Sequence, residues 1–375
     1  TWWSVKKLGE ISSFKSGGTP NKNKSEYWNG NIPWISASSM RGFVYKDSNE
    51  KISEIGLKNG SNYVNKGDLL ILVRGSMLWN CIPVGIAENL LAFNQDVKGI
   101  SVKSDMKPYF LLYWFYTNEQ KIKNMVVGTG IGAGKLETDE LKNLDILLPP
   151  LPEQEKIAEI LGTWDLAIEK LTALIAAKRL QKKGLVYSYV KNAKDTDLYT
   201  ISDLFSLTRG RIISKNEIEQ NLGIYPVFSS QTSNDGILGY IDSFDYDGEF
   251  ITWTTDGANA GRVFFRKGRF NCTNVCGLAS LKNGIILNLY YTMTYLNLVT
   301  KYYVSYVGNP KLMNNAFASI SLHLPNIDYQ NKVADILSKA DEEIALLTRK
   351  LSALKTQKTG LMQKLLTGQI RVKAA

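Results

Sequence analysis

One histidine, three cysteines and ten prolines in 375 residues narrow the chemistry before any motif is considered. His323, alone, leaves no histidine triad and no histidine cage for a metal. Cys81, Cys272 and Cys276 are odd in number and sparse. That argues against a disulfide scaffold and for a reducing compartment, so a cytoplasmic location is expected. Cys272 and Cys276 are half of a zinc set with no second half nearby, so buried thiols and no metal are expected. No apolar run is long enough to span a bilayer; the nearest, residues 284–299, is broken by Asn288 and Asn297. No signal peptide opens the chain, and a first residue of Thr implies a trimmed start.

Positive charge is present but not concentrated. The net charge is +10 and the pI about 9.2, which suits a polyanion such as nucleic acid. No segment is a basic tail, so a nucleic-acid face would have to be assembled by folding. At 44% hydrophobic and 21% charged, the chain reads as globular, with room for two domains. The glycine-rich run at 128–135 invites two false matches. A phosphate-binding loop needs Gly at 129 and Ser or Thr at 136, where Thr129 and Leu136 stand. A dinucleotide fingerprint needs a second strand with an acidic residue, and the run leads instead to Pro149. Leu148-Pro149-Pro150-Leu151 lacks the polar and aromatic flanks of an amino-methyltransferase motif. The expectation is a glycine-rich loop near a lobe–helix junction, in a protein that is not an enzyme and positions rather than reacts.

The strongest positive signal is an internal repeat. Leu148-Pro149-Pro150-Leu151-Pro152-Glu153-Gln154-Glu155-Lys156-Ile157-Ala158-Glu159-Ile160-Leu161 recurs in outline from Leu324 to Leu337 at an offset of 176. The offset holds without a gap through Asp165/Asp341, Ile168/Ile344, Leu171/Leu347, Gln181/Gln357 and Gly184/Gly360. A fainter repeat, at offset 193, aligns Val5 through Gly17 with Leu198 through Gly210. The plan is therefore lobe, helix, lobe, helix, with like helices and unlike lobes. The division expected is 1–148, 149–190, 191–324 and 325–375.

Each block opens on a proline turn and becomes helical at once. Apolar residues then fall at spacings of three and four: Ile157, Leu161, Trp164, Ile168, Leu171 and Ile175, then Val333, Leu337, Ala340, Ile344, Leu347, Leu351, Leu354, Leu361 and Leu365. Those are heptad seams. Lys178, Lys182 and Lys358 interrupt them, and Gly184 and Gly360, each costing about 1 kcal/mol against Ala, predict bends or fraying. Two matched seams can satisfy each other antiparallel. About 30 helical residues would make a rod of roughly 45 Å, the length of about 13 base pairs.

The lobes read as mixed α/β with short strands, such as those leading through Leu69-Leu70-Ile71-Leu72 and Phe250-Ile251-Thr252-Trp253. Polar and basic loops lie beside them. In the first lobe Ser16, Gly17, Thr19, Arg41, Arg74, Ser76 and Asn80 are candidate DNA-binding residues. In the second they are Arg209, Arg211, Ser229, Ser230, Gln231, Thr232, Thr255 and Asn259. Arg, Asn, Gln, Ser and Thr carry the donors and acceptors that match base edges, and Arg also grips phosphates.

These motifs together resemble the specificity (S) subunit of a type I restriction–modification system. The residues that carry it are Leu148-Pro149-Pro150-Leu151-Pro152-Glu153-Gln154-x-Lys156-Ile157-Ala158-x-Ile160-Leu161 and Gly360-Leu361-Met362-Gln363-Lys364-Leu365-Leu366-Thr367-Gly368. The lobe starts Leu8-Gly9-Glu10-Ile11 and Ser16-Gly17-Gly18-Thr19-Pro20, the run from Tyr225 through Thr232, and Gly308-Asn309-Pro310-Lys311-Leu312-Met313-Asn314-Asn315 as a lobe exit, fit as well. Asn326-Ile327-Asp328-Tyr329 departs from the usual proline-rich, Glu-bearing helix start.

The resemblance implies an α+β fold: two mixed α/β target-recognition domains separated by two long helices in an antiparallel coiled coil, a pseudo-twofold internal repeat. It implies a chain that reads a bipartite site on double-stranded DNA. Two methyltransferase (M) subunits and motor–nuclease (R) subunits would be its partners, with no membrane. No cofactor is implied in this chain; S-adenosylmethionine, ATP and Mg would belong to partner subunits. Leu166, Leu174 and Leu180, on the helix flanks, are candidate partner-binding residues. Two other readings remain open at this point: a recognition fragment of a fused methyltransferase–nuclease, and a coiled-coil scaffold that binds no DNA.

Overall fold

The computed structural model describes residues 3–130, 132–230 and 233–373. Two helices dominate it, Leu151–Val186 and Ile327–Leu366. All the heptad positions named above are buried or half-buried. The chain divides into two compact units, Thr1–Thr172 with Lys350–Ala375, and Ala173–Arg349. Each unit therefore holds one lobe, the near half of one long helix and the far half of the other.

The interrupting lysines are explained within the units. In the first, Lys358 reaches Asp165 at 2.5 Å, and the Tyr113 hydroxyl donates to the same carboxylate at 2.7 Å. In the second, Lys182 reaches Asp341 at 2.5 Å, and the Tyr290 hydroxyl donates to it. Asp165 and Asp341 differ by the repeat offset, and so do Lys182 and Lys358. The lysines sit at seam positions because their acceptors lie across the seam, and such contacts require the helix segments to run antiparallel. Lys178 pairs with Glu343 in the same manner.

The fraying expected at Gly360 is a correction, whereas the regular helix does give way just past Gly184. The second helix runs through Gly360 to Leu366. Beyond Gly360, Leu365 and Leu366 are buried in the first lobe's core, and that burial outweighs a propensity cost of about 1 kcal/mol. The first helix passes Gly184 and ends two residues later in a π-turn, Tyr187–Lys191.

The repeat extends into the strand register. Ser4–Lys7 pairs antiparallel with Asp145–Leu148, Ser4 opposite Leu148. Asp197–Thr200 pairs with Ser321–Leu324, Asp197 opposite Leu324. Both pairs obey the offsets 193 and 176 read from the sequence. Gln154 and Gln330, both buried, close the frame. Gln154 donates to Pro149 O and accepts from Lys107 N; Gln330 donates to Pro325 O and accepts from Asn288 N. The unusual start of the second helix is a side-chain cap: Asn326 Oδ1 accepts from Tyr329 N.

Between these anchors the lobes differ. The first has a five-stranded sheet centred on Leu69–Leu72, every residue of which is buried, and a four-stranded sheet beside it. The helix Pro108–Thr117 buries Phe110 through Phe115 in one run, as a helix surrounded on all sides would. The second lobe has one six-stranded sheet, with Tyr246–Thr254 and Val263–Cys272 near its centre. Its core stacks Trp253 on Phe317, centroids 3.8 Å apart. Gly277 is glycine because a Cβ there would fall 2.2 Å from the Trp253 ring. Among the described residues, no helix is long and apolar enough to cross a membrane.

Candidate nucleic-acid interface

In the first lobe the strand Ser12–Ser16 delivers Ser16 to the mouth of a tight passage. Gly17 follows, and a Cβ there would lie 2.2 Å from Phe93 O, so no larger residue fits this course. Gly18 N donates to Phe93 O, and Thr19 Oγ1 donates to Gln95 Oε1 at 2.7 Å. Lys98 Nζ donates to Ser16 Oγ at 2.6 Å. Burial, and then the nearby cations Lys142 and Arg74, hold the Lys98 ammonium below the ordinary lysine value. A partly buried ammonium near like charges favours an added anion. Arg74 N bonds Asp96 O, which sets Arg74 beside this group.

Ser16, Gly17, Thr19 and Arg74 are thus brought together, and the structure adds Gln95 and Lys98, which the sequence reading passed over. Ser76 and Asn80 lie exposed on the following turn, Ser76–Trp79, and Asn80 O accepts from Lys123 Nζ. Arg41 is exposed after the turn Ala37–Ser39; among the described residues no side-chain bond ties it to the group.

The expected glycine-rich loop is the tip of a hairpin. Val127–Gly128 and Gly134–Lys135 form a hairpin whose second strand pairs with Arg74–Gly75. Trp79 Nε1 donates to Gly132 O at 3.1 Å. The pairing partner lies about 60 residues upstream, too far for local patterning to reveal.

In the second lobe Arg209 ends the strand Phe205–Arg209 at the place matching Ser16. Its guanidinium donates to Asn314 Oδ1 and Met313 Sδ. Arg211 is gripped by Glu217 and Asp245, which raise its pKa and neutralise much of its charge. Ser229 N donates to Gly236 O, and Ser229 Oγ accepts from Thr273 Oγ1 at 3.1 Å. Ser230 is half-buried next to it, while Gln231 and Thr232 lie outside the described residues. Asn259 is exposed on the turn after Trp253 and Thr254.

Thr255 needs correcting as a base-reading candidate. It is buried and its hydroxyl donates to Val275 O, so it holds the turn rather than facing outward. Sequence reasoning also missed Arg266. Its guanidinium lies between the Phe228 and Phe264 rings, 3.7 and 4.3 Å from their centroids. It donates to Asp235 Oδ2 and Asp235 O, fixing the far end of the turn that carries Ser229 and Ser230. Burial lowers its pKa, and Asp235 opposes that shift.

Both faces therefore offer donors, acceptors and positive charge on rigid supports. Among the described residues, no group of three His, Cys, Asp or Glu side chains is placed to hold a metal ion. Leu166, Leu174 and Leu180 are exposed on the first long helix, away from the seam.

The family model for the type I restriction modification DNA specificity domain matches residues 2–179 and 193–356. A Mycoplasma pneumoniae protein named as a type I specificity subunit is 38% identical over 199 residues, covering 52% of this chain and 83% of that one. The specificity subunit of the Escherichia coli type I restriction enzyme EcoR124I/EcoR124II is 30% identical over 189 residues, 50% of this chain and 46% of that one. The fold is similar to the crystal structure of a type I restriction-modification S subunit from M. genitalium, with a TM-score of 0.66 at 16% identity, covering 97% of this chain and 96% of that one. Two matched domains account for most of the sequence, and the chain belongs to the type I restriction-modification DNA specificity family.

Proposed function

We propose that this specificity subunit reads a two-part site on double-stranded DNA, one half with each lobe, and carries out no chemistry itself. One observation supports this reading above the rest: identical framework contacts hold two lobes whose outward loops differ. Paired glutamines, strand registers and Asp–Lys contacts repeat at fixed offsets. The candidate reading residues differ in kind, as where Arg209 of the second lobe stands in the place of Ser16 in the first. A shared frame with unlike loops suits recognition of two different base sequences.

The methyl transfer belongs in this proposal to methyltransferase subunits that bring S-adenosylmethionine, and cleavage to motor–nuclease subunits that use ATP and Mg. Leu166, Leu174 and Leu180 are the proposed docking points for a methyltransferase subunit. The bound base would be extruded by the partner while this chain holds the duplex.

The test is a methylome. The chain is co-expressed with its genomic methyltransferase neighbour in a methylation-free host, and modified adenines are mapped. The expected result is a two-part motif with a fixed gap that disappears when this chain is omitted. A motif that persists without the chain removes it from recognition. Soluble, associated subunits that yield no motif would favour the scaffold reading instead.

A further inference from the structure

Residues 303–312 form a short hairpin in the second lobe that recognition loops alone do not explain. Ser305 and Lys311 exchange backbone hydrogen bonds of 2.8 and 2.9 Å. Its base is fixed: Leu312 is buried, its N donates to Thr255 O, and Trp253 Nε1 donates to its carbonyl. Gly257 N donates to Pro310 O, so the hairpin is tied to the turn that presents Asn259. Its tip is apolar and held out: Tyr306 is 68% exposed and Val307 92%. Gly308, at φ +74°, turns the chain directly behind them.

An apolar pair raised on a rigid base needs an occupant. Lys301 and Lys311 flank the tip in sequence, and Arg209 packs on Met313 and Asn314 just beyond it. Lys311 also lies 3.8 Å from Asp256, so the hairpin base carries paired as well as free charge, and an apolar tip on a base tied to the Asn259 turn suits insertion into a nucleic-acid duplex. The first lobe has a positive-φ turn glycine at the matching place, on a hairpin of different register: Lys135 pairs with Val127, Lys311 with Ser305. Gly132, at φ +79°, matches Gly308 at offset 176, and Lys135 matches Lys311. There the exposed aromatic comes from another loop: Trp79, 46% exposed, donates to Gly132 O.

We infer that Tyr306 and Val307 form a wedge that presses into one base step of the half-site read by the second lobe, and that Trp79 serves the first lobe in the same way. The inference rests on the DNA-reading assignment above. Apolar side chains inserted at a base step partly unstack it and kink the duplex. The tip would then contribute to affinity through deformability of the step rather than through base-edge hydrogen bonds.

The test uses the full chain assembled with its methyltransferase subunits on duplexes bearing the mapped motif. 2-Aminopurine, which brightens when unstacked, is placed at successive steps of the second half. Wild type should brighten one step other than the methylated adenine. The double variant Tyr306→Ser/Val307→Ser should lose that signal, keep the signal at the target adenine, and bind the motif about tenfold more weakly. Tyr306→Phe with Val307 retained should behave as wild type. A melting temperature equal to wild type excludes misfolding. Unchanged fluorescence and affinity in the double variant would overturn the wedge while leaving sequence reading intact. Loss of the methyltransferase subunits from the complex would overturn it in favour of a protein contact. If wild type itself shows no preference for the motif, the DNA-reading assignment falls instead.

Discussion

Asp165 and Asp341 hold corresponding places in the two units, and each accepts from a lysine and a tyrosine. Their surroundings are not alike. Lys358 and Asp165 are 16% and 15% exposed, while Lys182 and Asp341 are 25% and 45% exposed. The helix starts diverge further. Glu153, buried, takes a bidentate pair from Arg371 and further bonds from Trp3 Nε1 and Val372 N. At the matching place the Tyr329 hydroxyl donates to Tyr189 O. The contacts that set backbone geometry are duplicated. Those that tie peripheral segments to it are not, and the first unit carries the heavier load on its helix pair.

The largest expected effect follows from that inequality. Asp165→Ala leaves Lys358 and Tyr113 facing each other without an acceptor in a mostly dry setting, and should cost about 3–5 kcal/mol. Asp341→Ala lies in a wetter setting, where solvent screens the pair, and should cost only about 1 kcal/mol. Urea unfolding followed by tryptophan fluorescence measures both. Equal losses would mean that burial does not distinguish the two contacts.

A middle-sized effect concerns acid. Arg371 first, then Trp3 and Val372, hold the Glu153 carboxyl below its ordinary value of 4.5. A lowered carboxylate pKa contributes stability that is complete above the ordinary value and is lost as pH falls through the lowered one. Glu153→Gln should therefore remove about 1–3 kcal/mol at neutral pH and flatten the acid limb of the stability profile below pH 4.5. An acid limb as steep in the variant as in wild type would place the sensitivity elsewhere. Tyr329→Phe should leave that limb unchanged.

The smallest effect on stability is reserved for the outer helix face. Leu174→Glu and Leu180→Glu should each change stability by less than about 0.5 kcal/mol, since both side chains are exposed. Co-purification with the methyltransferase subunit should nonetheless fall sharply. Retained association with both charges in place would move the docking surface off this helix.

Much of the frame was legible because it repeats. The offsets 176 and 193 reappear as strand registers, and the glutamines of the helix starts occupy equivalent pockets. Less was legible where partners come from distant sequence. Lys182 and Lys358 look like flaws in a heptad because a one-dimensional pattern does not contain the carboxylate opposite. The run at 128–135 looks like a loose loop until Arg74–Gly75 is placed beside it. Thr255 and Asn259 share a polar turn and cannot be told apart by composition, yet one is buried and the other faces outward. Tyr306 and Val307 stand just before the run read as a lobe exit and carry no motif; an aromatic and a β-branched residue directly before a turn glycine is the available clue.

The Tyr–Asp–Lys contacts carry a further consequence. The first unit takes its lysine from the second copy of the repeat, and the second unit takes its lysine from the first. That reciprocal loan is what two identical chains make when they exchange a terminal helix, here written into one polypeptide. A gene encoding only one lobe and one helix would yield a protein with an aspartate awaiting a lysine and a lysine awaiting an aspartate. Two copies of such a half would complete each other by swapping helices. The pair would be symmetric in its loops as well as in its frame, and would be suited to a palindrome.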